Sequence, residues 1–125
     1  LRAVGVATVE YDAVTGRATW GEGAAVVLGA SITDIGTVSE WLDRIDPAER
    51  GLAEATWSGV VSGALPSSEE EYAVRMPDGR VQRVREQLAG VRGADGNVEQ
   101  VAGLLQPATA AADNADSAPE VVRGG

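Results

Sequence analysis

Between positions 69 and 105 the chain alternates apolar and polar side chains, with two sharp interruptions. Tyr72, Val74 and Met76 share one side of a pleat and Glu71, Ala73 and Arg75 the other, as a strand of period two requires. Pro77-Asp78-Gly79 breaks the run, because proline fixes φ and glycine admits φ > 0. A second run over 80–91 carries Val84 and Leu88 on one face and Val81, Ala89 and Val91 on the other. Asp95-Gly96 turns the chain again, and a third run follows over 98–105. Two Asp-Gly turns between alternating runs predict an antiparallel three-stranded meander.

Upstream the period changes. Small and β-branched residues over 3–9 predict a buried strand, 12–16 a turn, and 17–20 a second strand closing a hairpin at Gly16. A short helix is expected over 22–28, ended by Gly29 in the left-handed conformation, with 30–36 irregular. Thr37 followed by Glu40 has capping-box spacing and opens a helix to Arg44, with Trp41, Leu42 and Ile45 as its apolar positions. Asp46 as N-cap, Pro47 at N1 and Glu49 at N3 start the longest helix, over 47–62. Leu52, Ala55, Thr56, Gly59, Val60 and Gly63 recur along it at helical spacing, with Trp57 and Val61 beside them. Two strands, three helices and three strands predict an α+β domain: one five-stranded antiparallel sheet with helices packed on one face. The domain is expected over 1–105. The Ala- and Pro-rich segment 106–125 is too poor in large apolar groups to offset its ordering entropy and reads as a disordered linker or tail.

Composition narrows the chemistry. All ten basic residues are Arg, and the chain has no His, Cys or Phe. A thiol nucleophile, a thiolate or imidazole metal site, a Schiff-base lysine and a phosphate-loop lysine are therefore excluded. The net charge of −9 opposes contact with nucleic acid or an anionic membrane surface, and no basic cluster offsets it. No apolar stretch approaches the roughly 18 residues of a membrane span. The first residue is not Met, so the chain reads as a mature fragment or an excised piece of something longer. No carboxylate spacing places two acids in one pocket, and no enzymatic activity is expected of the domain itself.

The order and spacing of several short motifs resemble a PAS domain over about residues 3–105. They are Trp20, Val27-Leu28-Gly29, Glu40-Trp41-Leu42 with Ile45-Asp46-Pro47 and Arg50, Glu71-Tyr72 with Pro77-Asp78-Gly79-Arg80, and Asp95-Gly96 with Gly103. The chain departs from the family pattern at Asp46, where histidine is usual before the proline, at Ala73 and Arg83, and at Leu104-Leu105-Gln106, where a signal-coupling triplet is usual. The resemblance implies a non-catalytic sensory or regulatory module of a bacterial signalling protein, acting in the cytoplasm. It would control an attached effector, a histidine kinase or a cyclic-di-GMP cyclase or phosphodiesterase, through homodimer or partner contacts. The alternative is a pure docking module with no small-molecule ligand.

Such domains often hold a cavity between helices and sheet. Trp41, Ile45, Leu52, Trp57, Val60, Val74 and Val84 are the residues that would line it here. The competing reading is that Trp41 and Trp57 simply fill the core, since a chain without Phe must take bulk from Trp. Haem attachment in the family usually uses His and a photoreactive flavin site its Cys, both absent here, so no cofactor and no metal is expected; flavin held without covalent chemistry stays open, with nothing in the sequence arguing for it. Glu69, Glu70 and Glu71 read as a solvated strand start rather than a cation site. Arg80, Arg83 and Arg85 are expected to pair across strands with Glu71 or Glu86. Val81, Ala89 and Val91 are apolar on a face that one layer of helices would leave in water, which makes them the candidate interface residues.

Overall fold

The computed structural model describes residues 5–108. One antiparallel sheet runs through it in the order β2-β1-β5-β4-β3, with β1 over Ala7–Asp12, β2 over Ala18–Trp20, β3 over Ser67–Arg75, β4 over Val81–Arg92 and β5 over Val98–Pro107. The first strand therefore lies beside the last, with Val9 opposite Gly103 and Tyr11 opposite Val101. The meander expected downstream and the hairpin expected upstream are both present, joined along the β1–β5 seam. β1 starts later than the 3–9 run suggested. The hairpin turn positions it: Asp12 Oδ1 accepts from the N–H groups of Val14 and Thr15. Tyr11 thereby enters the core.

Helices cover one face. α1 spans Ala24–Leu28, and residues 30–36, expected to be irregular, contain a 3-10 helix over Ala30–Asp34 that buries Ile32. Gly29 between them has φ 100° and ψ 151°. It needs glycine's freedom at positive φ but is extended, not the left-handed helical cap expected. α2 spans Val38–Asp43, and the Thr37 hydroxyl accepts from Glu40 N–H as the capping box requires. The reciprocal half differs, because the Glu40 carboxylate reaches one residue further back, to Gly36 N–H. Arg50 Nη2 donates to the carbonyls of Asp43 and Ile45, closing the C-terminal end of α2 against the next helix.

α3 spans Pro47–Ser62, capped by the Asp46 carboxylate on Ala48 N–H and ended by Gly63 at φ 86° and ψ 0°. Removing that cap in Asp46→Ala is expected to lower stability by about 1 kcal/mol in denaturant unfolding. The buried face of α3 is Ala53, Thr56 and Val60, with Trp57 half-buried beside them. The expected stripe is met in part: Thr56 and Val60 are buried, but Leu52 is 67% exposed, Ala55 is also in solvent, and Ala53 faces inward instead. The helix is short of large residues on both sides, so small rotations give nearly equivalent stripes, and the shape of the sheet selects among them.

β5 continues two residues past the expected boundary at Leu105, and Ala108 N–H bonds Arg83 O beyond it. The remainder of the segment expected to be a linker lies outside the described residues.

Candidate functional site

The two faces of the sheet each assemble a distinct set of groups. On the outer face β1, β5 and β4 lie side by side beneath an open groove of about 850 Å³. Its floor is recessed where the small side chains of Ala89 and Ala102 are direct cross-strand partners, and Thr8, Gln87 and Leu104 extend it along the strands. Thr19, Trp20, Ser67 and Glu69 stand at its sides. Leu104 is 43% exposed, an apolar side chain held in water by the period of a strand whose next residue faces the core.

Beside the groove, β3 and β4 carry a ladder of ion pairs. Arg83 contacts Glu71 at 3.2 Å and Glu49 at 3.5 Å, and Arg85 contacts Glu71 at 3.8 Å and Glu69 at 3.9 Å. Arg80 is paired locally with Asp78 at 2.9 Å and also donates to Leu28 O. These groups are partly exposed, so each pair adds little stability. The Glu49 carboxylate, placed at N3, also accepts from Ala73 N–H at 2.9 Å and so fastens α3 to β3.

The inner face holds a polar corner in an otherwise apolar core. Tyr72 Oη donates to Glu86 Oε1 and accepts from Trp41 Nε1 at 3.0 Å. Glu86 is 6% exposed, and burial is the main reason its carboxyl is raised to about 7; the charge of Glu70 adds to this and the Tyr72 hydrogen bond opposes it. The buried phenols of Tyr11 and Tyr72 are likewise pushed well above 10, by burial first and then by the charge of Glu86. Tyr11 Oη has no hydrogen-bond partner, while its ring meets Trp57 edge-on with centroids 5.2 Å apart.

The sequence matches no family model and no curated protein. Solved structures do match. The N-terminal domain of a diguanylate cyclase with PAS/PAC sensor from Marinobacter aquaeolei is 18% identical over 82% of this chain and 94% of that one, with a TM-score of 0.71. A sensory box histidine kinase/response regulator from Burkholderia thailandensis is 16% identical over 95% of this chain and 88% of that one, with a TM-score of 0.70. The PAS domain of a protein from Colwellia psychrerythraea is 18% identical over 85% of this chain and 88% of that one, at 0.65. The fold is the PAS fold.

Within this PAS fold, Trp41, Ile45, Val60, Val74 and Val84 are brought together in the helix–sheet core, all of them buried. Trp57 only half joins them, and Leu52 points away into solvent. Of the three outer-face residues, Ala89 lines the groove, whereas Val81, 71% exposed, and Val91 lie outside its lining. Glu86 does not pair with an arginine as expected. It is in phase with Val84 and Leu88, so the pleat turns it inward, while Arg83 and Arg85 face the other way. That parity was readable in the sequence. The contributions of Thr8 and Leu104 to the groove were not, because they depend on β1 pairing with β5.

Proposed function

We propose that this domain is a non-catalytic sensory or regulatory module that controls an attached effector through contacts made by the outer face of its sheet. The observation that carries this reading is the groove over Ala89, Ala102 and Leu104, an apolar surface on a face with no helix of the described residues over it. Antiparallel sheets covered on one side normally present polar residues on the other, and an apolar patch there marks a surface that associates. The similarity of the fold to a diguanylate cyclase's PAS/PAC sensor and to a sensory box histidine kinase supports an effector of the histidine kinase or cyclic-di-GMP class. The contact is to a second copy of the chain or to a partner segment, at a site of action in the cytoplasm. No described helix is long and apolar enough to cross a membrane.

A pure docking module without a small-molecule ligand is the second reading. It is favoured by the way Trp41, Trp20 and Tyr72 stack edge to face through the middle of the core, where a ligand would otherwise lie. Both readings meet one test. Ala89→Glu with Leu104→Glu puts two carboxylates on the groove floor. It is expected to weaken self-association by roughly tenfold or more in sedimentation, since a desolvated, unpaired carboxylate costs well over 1.4 kcal/mol. Effector activity in the parent protein should change with it. Should the folded double mutant leave both readouts unchanged, outer-face contact is wrong, and a ligand bound among Trp41, Ile45 and Val84 becomes the better account. Val81→Glu with Val91→Glu, outside the groove, is expected to do less.

A further inference from the structure

The corner around Glu86 gathers two carboxyls and two phenols with no cation. Glu86 on β4 and Glu70 on β3 are direct cross-strand partners, so their side chains share the inner face. β3 also supplies Tyr72, and β1 supplies Tyr11. The other elements packed here, α2, α3 and β5, contribute Trp41, Thr56 and Leu105, which do not titrate. The ion pairs among the described residues use Arg80, Arg83 and Arg85, and none includes Glu70 or Glu86. A carboxylate taken out of water without a cation, opposite another carboxylate, lowers its free energy by taking up a proton.

The same groups tie the helices to the sheet. Trp41 anchors α2 through Tyr72 to Glu86, and Thr56 anchors α3 through its hydroxyl to Glu70. We propose that Glu86 is a proton-operated switch, whose ionisation sets an uncompensated charge opposite Glu70 in the corner where α2 and α3 are seated and so destabilises the fold, even though the bond from Tyr72 strengthens. The switch belongs to the domain itself and stands whatever the outer face binds.

The sign of its pH dependence follows from the direction of the shift. The Glu86 carboxyl, ordinarily near 4.5, is raised to about 7, so the folded protein keeps a proton that the unfolded chain has released. Its stabilising effect is fully present below about 4.5, falls as pH rises, and is lost above about 7. Within that window the unfolding constant climbs about tenfold per pH unit. Few other groups interfere. Asp12 and Asp78 are held below the usual carboxylate range, chiefly by backbone N–H groups of Thr15 and Arg80. The chain has no His or Cys to titrate near neutrality.

The test is urea unfolding of the full chain from about pH 5 to about pH 8, with the carboxyl ¹³C resonance of Glu86 and the indole N–H of Trp41 followed over the same range. The unfolding constant is expected to rise roughly 40-fold between about pH 5 and pH 7 and then level off, with both resonances moving near the upper end. In Glu86→Gln the stability curve should be flat and the Trp41 signal stationary. A Glu86 resonance that titrates in the ordinary carboxylate range would overturn the proposal, as would a Glu86→Gln protein with the parent's pH dependence. If Glu86→Gln fails to fold, Glu70→Gln decides: removing the facing charge should lower the Glu86 midpoint and shift the pH-dependent loss of stability with it, and a stability curve that does not follow the Glu86 midpoint refutes the switch.

Discussion

Trp41→Ala is expected to destabilise the domain by about 3–5 kcal/mol, among the largest losses a single substitution here can produce. Trp41 is 1% exposed and lies between Trp20 and Tyr72, with ring centroids 6.0 and 6.3 Å away in edge-to-face arrangements. Truncation would leave a cavity that the flanking strands cannot close, since both are fixed in the ladder. It would also remove the N–H donor to Tyr72 Oη in a corner that is already under-satisfied. α2 has six residues and cannot persist without tertiary anchoring. The denaturation midpoint at constant slope measures the loss, and Trp41→Phe should recover part of it by restoring volume without the donor. Trp57→Ala, at a half-buried site, should cost less than Trp41→Ala. Equal costs would mean that α2 is not the anchored helix.

Leu104 and Leu105 give the second large effect, as a contrast between neighbours. Leu105 is 0% exposed, opposite Ala7 on β1 and Glu86 on β4, whereas Leu104 is 43% exposed on the outer face. Leu105→Ala is expected to lower stability by about 2–5 kcal/mol, from lost burial and the cavity left between two paired strands. Leu104→Ala should change it by less than about 1 kcal/mol, because little of its surface leaves water on folding. If the costs were reversed, β5 would be out of register by one residue, which would invert every side chain on it. Equilibrium unfolding of the two variants in parallel makes the comparison.

Glu86 illustrates what was legible and what was misread. Its in-phase position between Val84 and Leu88 marks it for the core by period alone. A carboxylate is ordinarily assigned to solvent, and that habit paired it with an arginine of opposite parity. Leu52 is the converse case, a large apolar residue placed inward by its helical spacing and left outside by the packing of Ala53, Thr56 and Val60.

The sequence by itself determined the local events. Asp-Gly turns, the Thr37 and Asp46 caps and the alternation through Tyr72, Val74 and Met76 depend on residues within a few positions of one another, and their backbone chemistry acts at that range. Tertiary structure alone decided the β1–β5 seam, the rotation of α3, the groove over Ala89 and Ala102, and the meeting of Tyr11, Trp41, Tyr72 and Glu86. Burial is a property of neighbours, and these neighbours come from separate elements, at the β1–β5 seam from opposite ends of the described chain. No local pattern carries the free energy that brings them together.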